Sequence, residues 1–230
     1  DAHGKIQFMY NSDQMAMLAD MVIVGSHRLE QWNKKYNKNI KLIPSLVDET
    51  VYKYKAREVK EPHQIKILWT EKKGDTYISD LMMIKEVLDE IHRKYGCQII
   101  MQSFDKIKDV QELFPYAQVL SEVNFKEYCN IRVPLMQSCD FFIAPFSPTG
   151  EQSIQKQYKA GQNSRHIMGL GLPGVASPTG EHDHFIEDGV SGFLATTKQE
   201  WYDKIEKLVL DSALRIQMGF KSRETIEKNY

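Results

Sequence analysis

Short apolar runs alternate with amphipathic stretches along most of the chain. The first clear run, Met21, Val22, Ile23 and Val24, is continuous and largely β-branched, as in a strand of a parallel sheet covered on both faces. Before it, a short strand is expected at 5–10 and a helix at 12–18, with Ser12 or Asp13 placed to cap its start. Leu29, Trp32 and Tyr36 recur at helical spacing across 27–36, and 40–43 supplies another strand that stops at Pro44. The stretch 48–62 is charged, has little periodicity and ends at Pro62, which makes it a linker by composition.

Beyond the linker the alternation resumes. Strands are expected at 65–69, 98–101, 119–120, 141–144 and 174–176, and helices at 78–95, 107–114, 125–137 and 164–170. A short extended piece at 192–194 and a helix-rich tail over 199–229 close the chain. Such alternation predicts an α/β fold with a parallel, doubly wound, Rossmann-like sheet and helices on both faces.

Composition narrows the function classes. With 230 residues, 42% apolar and 10% aromatic, the chain can bury a sizeable core. Thirty Lys and Arg against thirty-one Asp and Glu leave no global field toward nucleic acid, so any bound anion needs a local site. Cys97, Cys129 and Cys139 lack the paired spacing of zinc or redox motifs and read as small thiols in a reducing compartment. With no apolar run of the ~20 residues a bilayer demands and no signal peptide, the expected location is cytoplasmic; a peripheral membrane position stays open for a longer protein. A start at Asp1 without Met suggests a fragment.

Three groups of residues carry a family resemblance. The first is 19–26, Ala-Asp-Met-Val-Ile-Val-Gly-Ser, followed by 41–48 with Ile43-Pro44-Ser45-Leu46-Val47-Asp48. The second is 65–74, ending Trp69-Thr70-Glu71-Lys72-Lys73-Gly74. The third runs from Cys139-Asp140-Phe141-Phe142-Ile143-Ala144-Pro145 through Gly169-Leu170-Gly171-Leu172-Pro173-Gly174-Val175-Ala176-Ser177 to 186–194 with Asp188-Gly189 and Gly192. In this order and separation they resemble the C-terminal domain of GT-B glycosyltransferases, above all the large retaining family that includes sucrose and glycogen synthases. Ser45-Leu46 replaces that family's usual Asn-Gly.

The resemblance implies a remnant of an N-terminal Rossmann-like domain at 1–47, the linker at 48–62, and a donor-binding domain with C-terminal helices at 63–230. It implies a nucleotide-diphosphate sugar as donor and a carbohydrate, lipid or protein as acceptor, with retention of configuration. A developing diphosphate needs a helix N-terminus and cations. Lys72 and Lys73 after the first donor-domain strand, Asn163, Ser164 and Arg165 at a helix start, and Thr179 with Gly180 after a later strand are the expected contacts. The family's ribose glutamate falls on His166, its lysine on Asn163 and its upstream glutamate on Tyr158. A shifted register would recruit Glu151, Lys156, Lys159 or Arg165 instead, so no catalytic residue is assigned. Glu151 and His166 are the candidates for sugar or ribose contact.

Plainer explanations exist for each. Lys72 and Lys73 suit an exposed loop, Asn163 and Ser164 suit helix caps, and Arg165 suits a solvated helix face. His182 and His184 flank Asp183, but alternate loop residues seldom converge, no third ligand is evident and no Asp-x-Asp pair is present, so no metal or other cofactor is expected. Missing glutamates at His166 and Tyr158 favour a rival, a non-catalytic GT-B module that binds or assembles with a partner. A nucleotide-sugar epimerase shares the architecture, and a flavodoxin-like signalling domain is disfavoured by the lack of an acidic cluster after the first strand. Leu208, Leu210, Leu214 and Met218 are expected to expose apolar surface, and with it to give a homodimer or a poorly soluble fragment.

Overall fold

The computed structural model describes residues 12–56, 58, 63–147 and 156–230. The strand expected at 5–10 lies outside them. Helix α1 (12–18) leads into β1 (Val22–Val24), α2 (His27–Asn33) and β2 (Ile40–Leu42), and β1 and β2 pair in parallel. Ser26 caps α2, its side chain accepting from Leu29 N at 3.1 Å. Both faces of this small sheet were expected to be covered. Instead Ile23 is 62% exposed, and Met21 and Ile43 are exposed beside it, because two strands and two short helices leave a face of the unit without packing among the described residues.

The larger sheet holds β3 (Lys66–Thr70), β4 (Gln98–Phe104), β5 (Ala117–Ser121), β6 (Phe141–Ala144), β7 (Gly174–Ala176) and β8 (Phe193–Leu194) in the order β5-β4-β3-β6-β7-β8, every pair parallel. The chain moves outward from β3 to β5, returns to β6, and moves outward the other way. The order therefore reverses between β3 and β6.

Side-chain alternation explains the two layers of helices. Ile67, Trp69, Ile99, Met101, Phe141 and Ile143 face one apolar cluster, shared with α3 (Gly74–Met83), α4 (Lys85–Tyr95) and α5 (Ile107–Leu113). Leu68, Ile100, Phe142 and Ala176 face the other, under α7 (Val133–Gln137) and α8 (Gln162–Gly169). Both faces being apolar, each strand reads as a continuous run and must be covered twice. Short helix α9 (His182–Phe185) precedes β8, and α10 (Lys198–Leu210) and α11 (Ser212–Asn229) finish the fold. The tail is not an exposed apolar face: Leu208 and Met218 are buried, Leu214 packs on the core, and only Leu210 of the four stands out, at 65% exposure.

Two long helices are interrupted. The segment 78–95 breaks at Ile84, and its first half begins at Gly74, whose missing Cβ lets it lie against Phe104. The segment 125–137 starts with α6 (Phe125–Glu127), opened by an Asn124–Glu127 capping box, then widens into a π turn over Tyr128–Arg132 ahead of α7. Pro134 accounts for this, since it has no N–H and its ring crowds the preceding turn. No helix among the described residues is long and apolar enough to cross a membrane.

Candidate functional site

At the C-terminal end of the sheet, where the strand order reverses, lies an open cleft of about 270 Å³. Glu71 and Lys72, just past β3, form one wall, and Phe146, just past β6, forms another. Residues 159–164, which lead into and begin α8, close it. Open α/β sheets bind ligands at such a reversal because the loops on either side diverge and leave a crevice.

The start of α8 faces this cleft. Gly161 is its N-cap, in the left-handed region at φ 65°, and no side chain caps the helix. The intrahelical ladder begins with Arg165 N donating to Gly161 O at 3.0 Å. The N–H groups of Gln162, Asn163 and Ser164 therefore have no intrahelical acceptor and stand at the positive end of the helix dipole. Glycine is required at 161: a Cβ there would lie 2.7 Å from the Phe185 ring.

The cleft carries a set of fixed charges. Lys159 Nζ lies 2.8 Å from Glu71 Oε2 and 3.8 Å from the centre of the Tyr77 ring. Asn163 Nδ2 donates to the same Glu71 oxygen at 3.3 Å. Burial raises the Glu71 pKa, against the pull of Lys159. Lys72 is exposed at the mouth, so Lys72 and Lys159 against Glu71 leave one positive charge in excess among the lining side chains. Behind it, Asp80 Oδ1 accepts from Lys156 Nζ and, at 2.8 Å, from Ser147 N, both charged partners being buried.

Of the residues singled out from sequence, the cleft gathers Lys72, Asn163 and Ser164, together with Lys159 from the shifted register. Ser164 offers its backbone; its hydroxyl is 2.9 Å from His182 Nε2. Because His182 Nδ1 faces the Ser177 carbonyl at 3.0 Å, Nδ1 carries the hydrogen in the neutral ring and the Ser164 hydroxyl donates to Nε2. Burial pushes the His182 pKa down to about 4. Neither Asn163 nor Ser164 is a cap, that position being Gly161.

The others stand elsewhere. Lys73 is the N-cap of α3, exposed, with φ 58°. Arg165 is not a solvated helix arginine: it is 1% exposed, with its guanidinium 4.5 Å from the Tyr230 ring and its Nε and Nη2 without hydrogen-bond partners among the described residues. His166 is stacked on Tyr52 at 4.2 Å, and burial lowers its pKa to about 4. Tyr158 packs edge-on against Trp32 at 5.7 Å, in a separate groove with Arg28 and Lys35. Thr179 is partly exposed outside the cleft lining, and the Gly180 carbonyl accepts from Arg28 Nε. Glu151 lies outside the described residues.

Sequence reasoning passed over Glu71, Tyr77 and Phe146 as site residues. Glu71 and Phe146 each fall within two residues of a strand's C-terminal end, which is the signal that could have found them.

No protein-family model matches the chain, and no curated protein does. Solved structures do. Sucrose-phosphate synthase from Thermosynechococcus elongatus superposes with a TM-score of 0.71 at 15% identity, over 95% of this chain and 56% of that one. TarM gives 0.68 at 20% identity over 96% and 43%, and Anabaena HepE in complex with UDP-glucose gives 0.70 at 15% over 92% and 60%. The chain spans about half the length of these proteins. Its six-stranded parallel sheet with helices on both faces is a Rossmann-like domain of the GT-B glycosyltransferase-like fold.

Proposed function

We infer that this chain binds a nucleotide-diphosphate sugar in the cleft between β3 and β6 and serves the transfer of that sugar to an acceptor. The observation that carries this is the uncapped N-terminus of α8, opening at the reversal of strand order beside Lys72 and Lys159. Departure of the sugar leaves charge on the diphosphate, and backbone N–H groups with two lysines meet that charge without reorganising. Support comes also from the fold's company: HepE was solved with UDP-glucose and pneumococcal GtfA with UDP and GlcNAc. The remnant, linker and donor-domain division at 47 and 62 belongs to this proposal, as do retention and the acceptor side of the reaction.

A second reading has its own observation. His166 and Tyr158, where the family's two glutamates fall, are both spent on aromatic partners, Tyr52 and Trp32, outside the cleft. A module that binds a nucleotide sugar or a partner protein without turnover follows from that placement. Calorimetric titration with UDP, GDP and ADP and their glucose conjugates tests the first reading, beside a Lys72→Ala/Lys159→Ala variant. Binding of one nucleotide, lost in the variant, supports the donor site. A folded chain that binds none leaves the partner-binding module standing.

A further inference from the structure

His27 at the start of α2, Glu181 just before α9 and His184 within α9 each bring one ligand atom within 4.8 Å of the others. We propose that these three side chains form a binding site for a transition-metal ion of the zinc class that staples the N-terminal βαβ unit to the large sheet. His27 and Glu181 are 154 residues apart in sequence, and their Nδ1 and Oε2 atoms lie 2.7 Å apart. The rings of His27 and His184 stack at 4.3 Å, with 11° between their planes.

The donor set is two imidazoles and one carboxylate, which suits Zn²⁺, Co²⁺ or Ni²⁺ and not the all-oxygen shells of Mg²⁺ or Ca²⁺. Tetrahedral ligand bonds of about 2 Å place ligand atoms roughly 3–4 Å apart, so binding opens the 2.7 Å His27–Glu181 pair by about half an ångström and turns the exposed His184 ring. Glu181 is the anchored member. Its residue is 2% exposed, and its Oε1 accepts from Arg28 N at 3.3 Å, which fixes the carboxylate from behind. The nearby Arg28 guanidinium is itself paired with Asp183 at 2.7 Å, which offsets its repulsion of a cation. Binding at His27 Nδ1 needs the neutral ring with its hydrogen on Nε2, so the hydrogen shared with Glu181 goes to solvent from an imidazolium or is exchanged to Nε2 in a neutral ring, and a fourth position stays open to water.

His182, the neighbour that sequence spacing pairs with His184, is turned inward to Ser164 and Ser177 and takes no part. None of the three ligands lines the donor cleft, so the site stands apart from the sugar-transfer proposal.

The test uses the whole chain stripped with a chelator and titrated with Zn²⁺ by calorimetry and with Co²⁺ by visible absorption. One equivalent binds, the Co²⁺ spectrum is that of a four-coordinate nitrogen–oxygen site, and saturating Zn²⁺ raises the Tm by several degrees, roughly as expected for a ligand held only by the folded state. His27→Ala and His184→Ala each weaken binding by at least about tenfold. His184→Ala decides the matter even if His27→Ala disturbs packing, because His184 is exposed and its loss leaves the fold intact. Absence of stoichiometric binding, or binding undiminished in His184→Ala, overturns the site.

Discussion

Lys159 Nζ meets Glu71 Oε2 at 2.8 Å, tying the segment that enters α8 to the loop that leaves β3 across the floor of the candidate donor cleft. The pair sets the charge a diphosphate would encounter. Glu71→Gln keeps the shape, releases Lys159 and removes a repelling carboxylate, so nucleoside diphosphate affinity rises by roughly tenfold, ~1.4 kcal/mol. Burial already favours the protonated form of Glu71, so wild-type affinity also climbs as pH falls, and the variant flattens that climb. Calorimetry across pH reads both effects; weaker binding in Glu71→Gln contradicts them.

His182 makes stability depend on pH. Its folded pKa of about 4 lies below the ordinary 6.5, so between those values the unfolded chain holds more protons than the folded one. The stability contributed by the neutral buried ring is present above pH 6.5 and is lost as pH falls toward 4, to a total of about 3 kcal/mol. His166, also lowered to about 4, acts in the same direction. Urea denaturation at pH 7 and pH 4.5 measures the loss, and His182→Asn reduces the slope.

Gly161→Ala strikes the mouth of α8. The left-handed backbone disfavours any Cβ, and this one would meet the Phe185 ring at 2.7 Å. A stability loss of about 1–3 kcal/mol is expected, with displaced N–H groups and weakened nucleotide binding. Denaturant midpoints and calorimetry on the same preparation separate the two.

Asp80 and Lys156 form a pair with both side chains almost fully buried. Asp80→Ala strands the lysine charge and costs about 3–5 kcal/mol, while Asp80→Leu with Lys156→Met recovers most of it. Thermal unfolding of the single and double variants checks the order.

Much of the fold was legible because each core strand is a compact apolar run. Val22 to Val24, Phe141 to Ala144 and Gly174 to Ala176 pair as their composition predicts, and the alternation of strands and helices specifies a parallel sheet. Pattern alone could not show the break at Ile84, or the helix start at Gly74 against Phe104. It could not foresee the burial of Arg165 either, since the Tyr230 ring that covers it comes from the far end of the chain.

The site was legible in part. Position after a strand located Lys72, and the start of α8 located Asn163 and Ser164. The Glu71–Lys159 pair joins residues 88 apart, and the grouping of His27 with Glu181 and His184 joins two chain segments that no local spacing relates. Such convergence is set by tertiary packing, which periodicity does not encode.

Amide chemical shifts on addition of a nucleoside diphosphate test the donor site most directly. With UDP, GDP or ADP, whichever binds, the N–H signals of Gln162, Asn163 and Ser164 are predicted to move furthest, with Lys72 following, and the movement is abolished in the Lys72→Ala/Lys159→Ala variant. Signals at the start of α8 that stay fixed while the groove around Trp32 and Tyr158 responds, or that stay fixed with every nucleotide, would contradict a diphosphate site at the reversal between β3 and β6.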